Sequence, residues 1–149
     1  MAKSLRLDDQ LCFSIYAASH AFTRFYKPLL EPLGLTYPQY LVLLTLWESD
    51  RLPLKAIGER LGLDSGTLTP LLKRMEQSGL ITRVRDAADE RQVLVSLTGK
   101  GRRLEQKAQR FPQRIGAASS CTAADLGALT RLIFRLRDDL EAAAGTNAA

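Results

Sequence analysis

The chain has 149 residues, 46% of them hydrophobic, and carries 21 Lys and Arg against 16 Asp and Glu, a formal net charge of +5. That is the composition of one folded globular domain and excludes a disordered chain. Two cysteines are too few for a disulfide scaffold or a structural zinc site, and a single histidine, His20, argues against His-based metal centres and Ser-His-Asp catalysis. Neither an enzyme nor a cofactor is therefore expected. The longest uncharged stretch, Pro32 to Trp47, contains Pro32, Gly34 and Pro38, so no membrane span is expected. The opening MAKSLRLDDQ has no apolar core for a signal peptide, and the expected location is the cytoplasm.

The positive charge is local. Residues 51–110 hold 13 Lys and Arg and 7 Asp and Glu, a net of +6, which leaves 8 basic and 9 acidic residues, or −1, for the rest. A basic middle between two near-neutral, apolar ends reads either as a solvated surface or as a polyanion-binding surface carried on a scaffold.

In chain order, Asp8 and Asp9 precede an amphipathic helix over roughly 9–30. Leu11, Ile15, Ala18, Phe22, Phe25 and Leu29 fall at spacings of three and four, and Pro28 predicts an end or kink near Lys27. Thr36, Pro38 and Gln39 form a capping-box signal for a second helix, whose run LVLLTLW over 41–47 is apolar on most faces and so buried. A short helix over 54–61 ends at Gly62. Asp64 or Ser65 caps a further helix to about Ser78, with Leu68, Leu71, Leu72 and Met75 inward and Gly79 as its stop. Two short helices joined by a tight turn are the helix-turn-helix pattern.

Alternating runs over 80–84 and 92–97 flank a charged tip over 85–91, which predicts a two-stranded β-wing. Thr98 and Gly99 open a long helix to about Arg110, interrupted by Pro112 and Gly116. Thr122 and Asp125 signal a last helix to about Ala143 with Leu126, Leu129, Ile133, Leu136 and Leu140 on one face, and residues 145–149 read as a frayed tail. The expected fold class is mainly α, a winged helix-turn-helix over 36–98 flanked by dimerisation helices over 1–35 and 99–149.

On this reading the second helix of the pair enters the DNA major groove. Ser65, Thr67 and Thr69 are small hydroxyl residues suited to close approach near its N-terminus, and Lys73 and Arg74 are placed for phosphates. Pro70 forfeits one main-chain bond at a position where that costs less than mid-helix. At the wing tip Asp89 can orient Arg91, an extended cation of the kind that a narrow minor groove attracts. Such proteins read palindromic sites as two-fold dimers, so double-stranded operator DNA and a second copy are the expected partners.

Asp89, Glu90 and Arg91, the run VLVSLTGKG over 93–101 and the order of elements resemble the MarR family of winged-helix repressors over nearly the whole chain. The runs LTPLLKRME over 68–76, GLI over 79–81 and LCF over 11–13 resemble its organic hydroperoxide resistance regulator (OhrR-type) branch. That resemblance implies a dimeric repressor, induced by an organic hydroperoxide that oxidises Cys12. It also implies Tyr26 and Tyr37 of the other subunit as hydrogen-bond partners of that thiol. In the two-cysteine subtype, Cys121 resolves the oxidised Cys12 as an intersubunit disulfide.

Read physically, Cys12 lies about one turn inside a helix capped at Asp8. The helix terminus favours a thiolate and the two aspartates oppose it, so the residues leave the sign open. A small buried apolar residue, the usual fate of a cytosolic cysteine, is the reading that the residues alone favour. Tyr16, four residues on, shares its face. Tyr26, fourteen on, also shares the face but lies about 21 Å along the axis, out of reach of its own chain's thiol. The alternatives are a MarR-type repressor released by a small phenolic ligand, a thiol peroxidase lacking a recycling Cys-x-x-Cys, and an architectural DNA-binding protein without a switch.

Overall fold

A hydrophobic residue at every third or fourth position, with few β-branched interruptions, makes most of this chain helical. The computed structural model describes residues 5–147. A 3₁₀ turn over Leu7–Asp9 leads into α1 (Leu11–Leu30), followed by α2 (Tyr37–Glu48), β1 (Leu52–Pro53), α3 (Leu54–Leu61), α4 (Ser65–Gln77), β2 (Ile81–Arg85), β3 (Val93–Leu97), α5 (Gly99–Ala108), α6 (Phe111–Ala118) and α7 (Ala123–Asn147). Among the described residues no helix is long and apolar enough to cross a membrane. Two compact units divide the chain, one ending at Lys107 and the other beginning at Ala108.

In the first unit the core forms around α2. The expected capping box is present: Gln39 N–H donates to Thr36 Oγ1, and Thr36 N–H donates to Gln39 Oε1. Tyr40, Val42, Leu43 and Leu46 are buried, and α1, α3, α4 and β3 pack around the helix. From α4, Leu68, Leu71, Leu72 and Met75 turn inward as the spacing predicts, and each fully buried side chain contributes about 2 kcal/mol. Asp64 caps α4 by accepting the Thr67 N–H at 2.8 Å, and Gly62 leaves α3 with φ of 66°, the left-handed conformation that a side chain resists.

The wing has one strand more than expected. β1 joins β3, so the antiparallel sheet runs β1-β3-β2, with Leu52 opposite Val95 and Ile81 opposite Leu97. Two residues ending in a proline carry no strand pattern. A charge places them instead. Asp50 Oδ1 accepts the Arg51 N–H at 2.8 Å and the Leu97 N–H at 2.9 Å, and Oδ2 pairs with Arg102. Holding the Arg51 N–H supports that residue at φ of 58° and turns the chain onto β3.

The start of α5 sits close on the turn that leads into β2. Thr98 Oγ1 donates to the Gly79 carbonyl at 2.6 Å and accepts the Gly101 N–H at 3.1 Å, while the Trp47 indole donates to the Gly101 carbonyl at 3.0 Å. A Cβ on Gly101 would lie 2.3 Å from the Leu80 carbonyl oxygen, so only glycine allows this approach.

Several expectations are corrected. Asp8 does not cap the first helix. It belongs to the 3₁₀ turn, Gln10 is the N-cap, and no side-chain cap bond forms there. The helix does not end near Lys27 but runs through Pro28 to Leu30, since Pro28 is exposed and in the last turn loses a single main-chain bond. The long helix expected to Arg110 breaks at Gln109 and Arg110. Pro112 starts α6, where its missing N–H costs nothing, and Gly116 lies within α6. In the second unit Thr122 and Asp125 form the predicted reciprocal cap. α7 then continues past Ala143 to Asn147, so residues 145–147 are helical, and positions 148 and 149 lie outside the described residues.

Replacing Gly101 with Ala is expected to lower the unfolding free energy by about 3 kcal/mol, because backbone must move to admit the methyl. A urea titration measures it, and an unchanged midpoint would contradict the close approach.

Candidate functional site

Burying Leu68, Leu71, Leu72 and Met75 leaves α4 one outer face. Ser65, Thr67, Thr69, Pro70, Lys73 and Arg74 are all exposed on it, as predicted. Hydroxyls and amide dipoles gather at the N-terminal end and cations at the other, an arrangement that offers hydrogen bonds to bases and charge to phosphates. Pro70 stands six residues into α4 without ending it.

The β2–β3 hairpin carries Asp89 and Arg91 beyond the sheet. Asp89 Oδ1 accepts the Arg91 main-chain N–H and its Nε, each at 3.2 Å, and Oδ2 accepts from Gln92. These bonds, the Arg91 main-chain N–H first, hold the Asp89 carboxyl below the usual carboxylate range. The arginine side chain is nonetheless 92% exposed, so its outer nitrogens point to solvent. Arg85 donates to the Glu90 carbonyl at 2.9 Å and ties the tip to its stem.

The thiol residues lie elsewhere. Cys12 is the second residue of α1, not one turn inside it, and its thiol is exposed in the single chain. Tyr16, one turn on, is exposed and lies tilted against His20 with ring centroids 4.4 Å apart. Tyr26 and Tyr37 do come together, at 5.1 Å between centroids. Because α1 is continuous from Leu11 to Leu30, the phenol pair stays about 21 Å of helix away from Cys12 of the same chain.

The sequence reading missed Tyr40, the third member of this cluster. Its ring is 5.3 Å from Tyr26, and the Tyr26 hydroxyl donates to the Tyr40 oxygen. The signal was available, since Tyr40 is three residues beyond Tyr37 and shares its helix face. Burial, with the neighbouring phenols adding to it for Tyr26, pushes the hydroxyls of Tyr26, Tyr37 and Tyr40 above the ordinary phenol value. They remain protonated and available as hydrogen-bond donors. Beside Tyr37 a cavity of about 470 Å³ opens between α1 and α2, lined by Arg24, Lys27, Leu30, Leu35 and Pro38 among others.

In the second unit Cys121 precedes α7. Its thiol is free and exposed, and its N–H donates to Ser119 Oγ at 3.0 Å. Both cysteines thus stand at helix starts, outside the basic segment.

The model of the transcriptional regulator SarA/Rot family matches residues 24–108. The chain is 54% identical to the HTH-type transcriptional regulator TtmR of Methylorubrum extorquens, over 94% of this chain and 72% of that protein. It is 52% identical to the organic hydroperoxide resistance transcriptional regulator of Bacillus subtilis, over 91% and 92% of the two chains. Among solved structures, reduced AbfR bound to DNA superposes with a TM-score of 0.73 at 40% identity, covering 94% of this chain and 96% of that one. The disulfide-formed state of AbfR aligns at 44% identity with a TM-score of 0.62, covering 89% and 93%.

Arg91→Ala is expected to weaken binding to duplex DNA about tenfold and to leave the reaction of both thiols with a maleimide unchanged; a matching change in thiol reactivity would mean that Arg91 acts through the fold. A second expectation follows from the phenols. A group whose value is raised by folding adds stability that is complete below its unfolded value and is lost as pH rises through the folded one. Urea midpoints should therefore fall as pH is raised above about 10, with phenolate absorbance lagging the ordinary phenol curve. Titration of every tyrosine on that ordinary curve would contradict the buried cluster.

Proposed function

The chain belongs to the SarA/Rot family of MarR-like winged-helix transcriptional regulators, and from that premise we propose that it is a homodimeric repressor whose grip on palindromic operator DNA is released when an organic hydroperoxide oxidises Cys12. The observation that carries this reading is the layout of α1. An exposed thiol sits at its start, and a cluster of protonated phenols sits at its far end. A second copy related by a two-fold axis, with its α1 antiparallel, brings each Cys12 to the other subunit's Tyr26 and Tyr37.

Uncovered apolar side chains support the dimer. Leu11, Tyr16 and Phe22 on α1 are exposed, and so are Leu129, Leu132, Ile133, Phe134 and Leu140 on α7. Stripes of this kind are costly in water and mark surfaces that a partner covers. Residues 1–35 and 99–149 supply these dimerisation helices, and residues 36–98 supply the DNA-reading part.

Phenolic hydroxyls that stay protonated donate hydrogen bonds to a thiolate and stabilise it. Tyr26 turns its hydroxyl from Tyr40 to the sulfur, and Tyr37 joins it. The thiolate attacks the terminal peroxide oxygen. An S–O bond forms, the O–O bond breaks, and the alkoxide takes a proton and leaves as an alcohol, so that Cys12 becomes a sulfenic acid. The Cys121 thiolate of the partner then attacks that sulfur. An S–S bond forms, the S–O bond breaks, and hydroxide leaves as water after protonation. The cavity beside Tyr37, largely apolar, suits the carbon part of the peroxide. The disulfide draws on the terminal helices and carries the two wings out of register with the DNA. Similarity to the Bacillus regulator and to AbfR, solved both on DNA and with its disulfide formed, supports the same reading.

The cavity beside Tyr37 also favours a second reading, release by a small phenolic ligand with Cys12 incidental. A gel shift separates the two. Reduced wild type should bind promoter DNA and release it on addition of cumene hydroperoxide, whereas Cys12→Ser should bind and stay bound. Cys121→Ser should lose the crosslinked dimer on a non-reducing gel. Wild-type binding that ignores peroxide but yields to a phenolic acid would replace the first reading with the second.

A further inference from the structure

The last turn of α4 holds a carboxylate where the helix dipole disfavours one. Glu76 is kept there by a single residue of the wing. Its Oε1 accepts the Arg83 main-chain N–H at 3.1 Å, and its Oε2 accepts Arg83 Nε at 3.1 Å and Nη2 at 2.9 Å. Both side chains are half-buried, and these bonds, those to the Arg83 side chain first, hold the Glu76 carboxyl below the usual range, so it is a carboxylate wherever DNA binding is measured.

The geometry is that of a clamp. β2 is an edge strand of the sheet, so alternate N–H groups along it face away from β3, and the Arg83 N–H is one of them. Glu76 covers that open donor while its other oxygen grips the side chain of the same residue. α4 carries the outer face of Ser65, Thr67, Thr69 and Lys73, and the β2–β3 hairpin carries Arg91. The clamp therefore joins the two elements that face DNA on the reading above. A tilt of about 10° at Arg83, carried over about 15 Å of hairpin, would move the tip by about 3 Å, more than a hydrogen bond tolerates.

We propose that Glu76 and Arg83 are positioning residues for DNA binding: they fix the angle between α4 and the wing, so that Arg91 reaches its groove when α4 is seated in the neighbouring one. This rests on the DNA-binding reading. Neither residue contacts DNA; a carboxylate would be repelled by phosphate, and the Arg83 fork is spent on Glu76.

The test is a double-mutant cycle on the full-length reduced protein, with a duplex selected from a random-sequence pool by the wild type. Arg91→Ala and Glu76→Ala should each cost about tenfold in affinity and flatten the salt dependence alike. The double variant should also lose about tenfold, not a hundredfold, because a wing already misplaced has no Arg91 contact left to lose. Arg83→Lys, which keeps the charge but not the fork, should fall between. Thermal melts verify folding, and Glu76→Gln, whose amide oxygen still accepts the Arg83 N–H, replaces Glu76→Ala if the latter melts below the assay temperature. A product of the two single losses, no loss for Glu76→Ala, or no loss for Arg91→Ala would each overturn the proposal. Failure of the wild type to select any duplex would instead overturn the DNA-binding reading itself.

Discussion

Burial of one face of α4 is the constraint from which the rest of the molecule follows. Leu68, Leu71, Leu72 and Met75 can leave water only by pressing inward beside α2, and that fixes the rotation of the helix about its own axis. Once the rotation is fixed, Ser65, Thr67, Thr69, Lys73 and Arg74 have nowhere to point but outward. The outer face of α4 is thus the complement of the core, and its chemistry is set by what the core rejects. Glu76 and Asp50 extend the same logic to the wing. Each spends a carboxylate on main-chain N–H groups of the sheet, so strands too short to be stable alone are tied to helices that are.

A different balance holds at the two ends of the chain. α1 and α7 each keep an apolar stripe in water, against the driving force that organises the centre. In α1 that stripe shares its helix with an exposed cysteine and with Tyr26, which meets Tyr37 and Tyr40 of α2 at the far end. The raised phenols and the open thiol are complementary: one set of groups holds its protons, the other is reactive once it loses its own. The helix keeps them apart within one chain, so the chemistry proposed above requires a second copy.

Much of this was legible in the residues themselves. The Thr36 capping box, the Thr122–Asp125 cap, the Asp64 cap and the inner face of α4 rest on contacts within four residues, where local physics decides. So do the exposure of the α4 outer face and the Asp89–Arg91 pair. The misreadings share one cause. β1 is held by Asp50 from across the fold, and α1 survives Pro28 because the lost bond is exposed to solvent. Tyr40, one residue before the apolar run, was passed over, because its oxygen meets the Tyr26 hydroxyl of a different helix.

The sequence alone therefore determined most of the elements, the helix faces and the position of the charge, because helical period, most caps and the +6 segment are properties of near neighbours. Only the tertiary structure decided how those faces are used: that Cys12 lies open in the first turn of α1, that three phenols meet at the other end of that helix, and that the last carboxylate of α4 grips the edge of the wing. Each of these joins residues that the chain holds apart and that only packing, by choosing which polar groups must share a buried neighbourhood, brings into contact or keeps from it.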